Sequence, residues 1–172
     1  GRGATLEAMK TDRGSFRIGG HKQLLQEVVH DSYKQRRKIP SPARCPDCGA
    51  VYRRGRWRWE AAPRATAAAR CPACLRIRDR LPAASVSLTG RFFASHRDEI
   101  LGRVRSCEQA ERQNHPMQRI MAIAASGAGM RITTTDAHLA RRIGDALYNA
   151  YKGELDYRYN KEDNLLRVTW RR

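Results

Sequence analysis

Two Cys-x2-Cys pairs constrain this chain more than any other feature. One reads Cys45-Pro46-Asp47-Cys48-Gly49 and the other Cys71-Pro72-Ala73-Cys74-Leu75, with 22 residues between Cys48 and Cys71. Cysteines three positions apart on a tight turn can aim both sulfurs at one ion, and two such turns supply a closed S4 site. A tetrahedron of thiolates suits zinc, with iron as the alternative. Cys45, Cys48, Cys71 and Cys74 are therefore the expected ligands of a Zn2+ ion. Gly49 fits the first turn, because the backbone after a ligating cysteine often needs a positive φ. One pair alone would also suit a redox dithiol, but two at ribbon spacing argue against that. Disulfides would need an oxidising compartment, and no signal peptide is recognisable, so the expected location is cytoplasmic. A site closed by four cysteines lacks the open position that metal catalysis requires. Its expected role is to hold a shape.

What that shape presents is suggested by charge. The 172 residues carry 34 basic and 17 acidic side chains, a formal net charge of +17. An excess of this size on a small chain points first to a polyanion, most often a nucleic acid. Residues 41–82 hold ten Arg, no Lys and three acidic residues, whereas residues 83–129 and 130–172 are close to balanced. Arg forms planar forks that match phosphate and stack on bases, which a Lys point charge cannot do. The blander alternative is a GC-rich genome that favours Arg codons. No apolar run is long enough to span a bilayer and no basic amphipathic helix has a broad apolar face, so no membrane partner is expected.

The chain divides into a basic arm over 1–42, a zinc ribbon over 43–82 and a second unit over 83–172. In the arm, residues 1–23 lack hydrophobic periodicity and read as disordered or ordered by a partner. Residues 22–31 suit a short helix. Lys34, Arg36, Arg37 and Lys38 beside Tyr33 read either as a phosphate-binding arm or as a solvated linker. Pro40 and Pro42 make an extended lead-in. In the ribbon, residues 50–60 read as a strand, a turn at Gly55 and a second strand. Alternation then puts Trp57 and Trp59 on one face and Arg56 and Arg58 on the other. The two Trp side chains either stack on bases or cover the small ribbon, and covering is the stronger reading. Arg53 and Arg54 add to the basic hairpin. A loop is expected over residues 61–70, and Arg76, Arg78 and Arg80 after the second pair would extend the basic face.

The second unit changes character. Val86 and Leu88 alternate with small polar residues as in a strand. Ser95 and Asp98 resemble a capping box ahead of a helix with Ile100, Val104 and Cys107 on one stripe, ending near Asn114. Cys107 has no partner motif and reads as a small buried residue. Residues 120–125 and 130–135 read as a hairpin around Gly127-Ala128-Gly129. Thr135 or Asp136 caps a second helix with Leu139, Ile143, Leu147 and Ala150 at helical spacing, stopped by Gly153. Residues 155–159 and 165–170 form a last hairpin. The expected class is α+β, an antiparallel sheet with two helices on one face.

No catalytic constellation emerges. There is no phosphate-binding Gly-x4-Gly-Lys-Ser/Thr loop, no Gly-x-Ser-x-Gly elbow and no His-Glu-x-x-His helix. The five His are scattered. Asp136 before His138 is explained by capping, although an RNA- or nucleotide-metabolising enzyme using Asp136, His138 and Thr133–Thr135 is one alternative. A DNA-binding regulator is another, and it would want a groove-reading helix and a dimer interface that are not evident.

The segments at 45–52 (Cys-Pro-x-Cys-Gly-Ala-Val-Tyr), 55–57 (Gly-Arg-Trp), 71–74 (Cys-Pro-x-Cys) and 133–140 (Thr-Thr-Thr-Asp-x-His-Leu-Ala) resemble a family of small bacterial proteins of unassigned function. The ribbon is more distantly similar to the N-terminal zinc region of the archaeal and eukaryotic large-ribosomal-subunit nuclear-export adaptor family. That family has further Cys-x2-Cys pairs that these residues do not contain, so no export role follows. The resemblance implies ribosomal RNA or a ribosomal subunit as partner, with ribosomal proteins as further contacts, in subunit maturation or in hibernation under stress. The expectation is a non-enzymatic RNA-binding protein. Its hairpin and arm would dock on phosphates, and Arg141 and Arg142 of the second unit would touch RNA or protein.

Overall fold

The computed structural model describes residues 38–172. The expected helix over 22–31 and Lys34, Arg36 and Arg37 lie outside them, while Lys38 is exposed. The ribbon is a four-stranded sheet in the order β3-β2-β1-β4, made of β1 (Ala43–Arg44), β2 (Val51–Arg53), β3 (Arg56–Arg58) and β4 (Ala67–Ala68). The last of these pairs in parallel with β1 inside the stretch expected to be a loop. Helix α1 (Pro72–Asp79) follows. It is an addition to the expected elements, although Pro72 in its first turn is a common helix opener.

The second unit runs β5 (Ala84–Thr89), α2 (Arg91–Ser95), α3 (Arg97–Asn114), β6 (Ile120–Ser126), β7 (Gly129–Thr134), α4 (Ala137–Tyr151), β8 (Glu154–Asn160) and β9 (Leu165–Arg171). Its strands form one sheet in the order β6-β7-β5-β9-β8. The α+β class is as expected, but the sheet is mixed rather than wholly antiparallel. At its centre β5 runs parallel to β9, Val86 opposite Val168, while the other pairings are antiparallel. Parallel neighbours require a long crossover, and here everything between residues 89 and 165 supplies it. Ser95 does not cap α3. It ends α2, donating to the Arg91 carbonyl, and α3 starts after His96 with no side-chain cap.

One face of this sheet is apolar because strand residues alternate. Ala84, Val86 and Leu88 point to the same side as Ile132, Val168 and Trp170, and all are fully buried. Ile100 and Val104 of α3 and Leu139, Ile143 and Leu147 of α4 cover them, as the helical spacing implied. Trp170 also donates its indole N–H to the Lys152 carbonyl at 2.7 Å. Asp136 caps α4 through the amides of His138 and Leu139. Cys107 is half-buried, and burial pushes its thiol pKa up. Among the described residues no helix is long and apolar enough to cross a membrane.

The two glycines of the β6–β7 hairpin have different jobs. Gly127 takes φ +57 in the turn, whereas a Cβ on Gly129 would lie 2.0 Å from the Leu88 carbonyl oxygen. That oxygen belongs to the central strand and cannot swing aside. Gly129→Ala is therefore expected to destabilise the domain by about 1–3 kcal/mol or more. Chemical denaturation checks this, and a variant within about 0.5 kcal/mol of wild type would refute the close approach.

Candidate metal centre

The two cysteine turns meet at one point. At the first, the Cys45 amide donates to the Ala50 carbonyl at 2.8 Å and the Gly49 amide to the Cys45 carbonyl at 2.9 Å. Gly49 has φ +81, as its place in the turn demands. At the second, Cys71 is the N-cap of α1, and its sulfur accepts from the Cys74 amide at 3.3 Å. The four sulfurs of Cys45, Cys48, Cys71 and Cys74 all lie within 4.8 Å of one another, mostly buried. Cys48 Sγ and Cys71 Sγ are 3.8 Å apart, far beyond disulfide bonding distance. A tetrahedral ion with metal–sulfur bonds of about 2.3 Å spaces its sulfurs about 3.8 Å apart, so the cluster fits a metal ion.

A residue with no motif completes the centre. Arg119, in the segment joining α3 to β6, is only 5% exposed and reaches the cysteines from the second unit. Its Nη1 donates to Cys74 Sγ at 3.3 Å, its Nη2 to Cys48 Sγ and Cys71 Sγ at 3.2 Å each, and its Nε to the Pro116 carbonyl at 2.8 Å. Thr135 fixes its backbone: the Thr135 hydroxyl accepts from the Arg119 amide and donates to the Met117 carbonyl, and the Thr135 amide donates to the Arg119 carbonyl. Met117 packs on the cysteine cluster beside it.

Electrostatics follow this arrangement. The hydrogen bond with Cys71 holds the Cys48 thiol down to about 4 against the burial that opposes it, helped by the Ala50 backbone and the Arg119 charge. The same bond, with burial, pushes Cys71 up. Burial also raises Cys74, although Arg119 opposes it. Burial works against the charge of Arg119, but Cys74, Cys71 and Cys48 outweigh it and raise its pKa above the ordinary arginine value.

The basic hairpin projects from this clamp. Arg54 (φ 52) and Gly55 (φ 79) form its two-residue turn, a pair of positive φ values suited to a tight hairpin. Val51 faces Arg58, Tyr52 faces Trp57 and Arg53 faces Arg56. Residues paired across the strands share a face, so Arg53, Arg56 and Arg58 lie together, with Arg54 at the tip. All four are exposed. Two like charges directly opposite each other are unfavourable in a sheet. The only nearby counter-charge among the described residues is Glu60, 4.0 Å from Arg53, and Arg53, Arg54, Arg58 and Glu60 line one shallow concavity.

Other expected contact residues sit elsewhere. Trp57 is on the opposite face, half-buried against the cysteine cluster and 5.3 Å from the Tyr52 ring. Trp59 is 38% exposed, and its indole N–H donates to the Arg112 carbonyl of α3 at 2.7 Å. Both rings therefore cover or tether the ribbon. Arg76 corrects the expectation of a continuous basic face: it is 8% exposed and donates to the Leu81 carbonyl, closing the end of α1. Arg78 is exposed but paired with Asp79. Arg141 pairs with Asp145, and Arg142 with Glu111 of α3, so both belong to the helical layer. Thr134, Thr135 and Asp136 are engaged in hydrogen bonds that hold the loop and cap α4.

No sequence signal marks Arg119. It is 45 residues from Cys74 in sequence and carries no pattern, and only the fold brings it to the sulfurs. No protein-family model matches the chain, and no curated protein or solved structure does either.

Proposed function

We propose that this is a cytoplasmic, non-enzymatic RNA-binding protein whose zinc-clamped ribbon docks an Arg-rich hairpin on ribosomal RNA. The observation that carries this reading is the unbalanced hairpin face, where Arg53 and Arg56 stand opposite each other with Arg58 and Arg54 beside them. A phosphate chain relieves that repulsion, and guanidinium forks suit it. The net charge of +17, most of it carried by residues 1–82, adds long-range attraction. Zinc is the ion of choice because four soft thiolates close a tetrahedron with no position left for substrate. The distant similarity of the ribbon to the zinc region of the large-subunit nuclear-export adaptor family supports ribosomal RNA as the partner, with ribosomal proteins as secondary contacts, in subunit maturation or hibernation.

Sedimentation of lysate through a sucrose gradient, followed by crosslinking to map the RNA, tests the reading. The protein is expected to travel with a ribosomal subunit or the whole ribosome and to leave it after a high-salt wash, since phosphate-driven binding weakens steeply with salt. Comparing growing with starved cells separates maturation from hibernation. A protein that stays at the top of the gradient in both conditions rules out the ribosomal partner.

A further inference from the structure

The metal centre sits at the joint between the ribbon and the mixed sheet. Met117 packs on the cysteines, Trp59 reaches the end of α3, and Arg119 donates to three of the four sulfurs. We propose that Arg119 is an outer-sphere positioning residue of the metal centre, so that the bound ion docks the ribbon on the sheet and sets where the basic hairpin points.

Four thiolates around a divalent ion carry a formal charge of −2, which is unfavourable in a buried place unless a cation compensates it. Arg119 is itself buried and brings one positive charge to the sulfurs. Its geometry suits no other side chain. A guanidinium offers five N–H donors in a rigid plane. Here two nitrogens span Cys48, Cys71 and Cys74 while the third holds the Pro116 carbonyl. A Lys ammonium, with three donors on one atom, cannot bridge that span. The anchoring is equally specific, because Thr135 grips the backbone of Arg119 on both sides, immediately before the Asp136 cap of α4. Arg119 is thus carried by the sheet unit, and its acceptors by the ribbon. Without the ion only weak sulfur hydrogen bonds and Arg119 itself link the sulfurs, too little to hold four thiolates together, and the acceptors for Arg119 disperse. Partners of this outer kind typically change metal affinity about 10–100-fold.

The inference rests on the metal reading and is independent of RNA. Its test uses the full chain with cobalt(II) and zinc as probes. Arg119→Gln is expected to keep one ion per chain and the tetrahedral thiolate spectrum of cobalt, but to bind zinc about 10–100-fold more weakly in a chelator competition. In a Trp57→Phe background, quenching of Trp59 should rise to the undocked level with the ion still bound, and Arg119→Lys should restore docking only in part. Unchanged affinity together with unchanged Trp59 quenching overturns the proposal. If Arg119→Gln does not fold, the wild-type chain still decides. Stripping its metal should raise quenching of the ribbon Trp side chains above the level of the loaded chain while Trp170 stays shielded in the core, and ribbon quenching that does not change without metal overturns the coupling. A wild-type chain that holds no ion at all removes the metal reading, and this proposal with it. One that holds an ion and fails the Arg119 arm removes this proposal alone.

Discussion

A chain in which Cys45 and Cys71 are both replaced by Ser is expected to lose its ion and its ribbon, while the sheet unit stays folded. The reason is the division of the two cores. The ribbon buries Cys45, Cys71, Ala73 and Cys74 as one cluster with Cys48, Trp57 and Met117 packed against it, and adds only the small Ala43, Ala50 and Val51. That is too little apolar material to fold a segment of this length on its own. A structural zinc site contributes apparent binding energies of about 10–16 kcal/mol in small zinc-binding peptides, as large as the total stability of an ordinary domain. The larger core draws none of its buried residues from the ribbon, and runs from Ala84 to Trp170. Metal analysis, circular dichroism and limited proteolysis read the outcome. The expected pattern is no bound metal, rapid cleavage within 43–82 and a protected fragment from about residue 83 onward. Retention of one ion per chain by the double variant would sink the ligand assignment.

Replacing Arg53, Arg54, Arg56 and Arg58 together by Ala should have the next largest effect, on RNA affinity and its salt dependence. Each phosphate contact contributes a slope of about −0.7 to −0.9 in log affinity against log salt. Removing four contacts should therefore flatten the slope by roughly 3. The advantage of the wild type would then shrink by roughly two orders of magnitude between 50 and 200 mM salt, taking four contacts at that slope. Stability should move the other way, because the Arg53–Arg56 juxtaposition disappears. Relief of a directly opposed like-charge pair is worth about 0.2–1 kcal/mol. Fluorescence anisotropy on a ribosomal RNA fragment across a salt series, with thermal melts alongside, separates the two effects. An unaltered slope would mean that the hairpin is not the RNA surface.

Several elements are legible in the sequence because local rules decide them. The cysteine spacing, the positive φ of Gly49, the turn at Gly55 and the Asp136 cap each depend on a few neighbouring residues. The apolar stripes of α3 and α4 and the alternation of β5 and β9 likewise show in sequence as periods near 3.6 and 2. The failures share a different cause. Ser95 resembles a helix cap in sequence, but the short α2 claims it, since Phe93 is buried and pulls that turn into the core. Arg76 has the spacing of a basic face, yet in α1 its position faces inward and its guanidinium closes the helix end.

The sequence by itself determined a four-thiolate clamp, an Arg-rich hairpin between its halves and an α+β unit after it, because each is written in spacing or periodicity. Only the tertiary structure decided that β5 and β9 are parallel, that Trp57 and Trp59 serve the ribbon, and that Arg119 roofs the sulfurs. The physical reason is range. A turn or an amphipathic stripe is a property of adjacent residues, whereas a guanidinium meeting three sulfurs 45 to 71 residues away depends on how two separately folded units come to rest against each other.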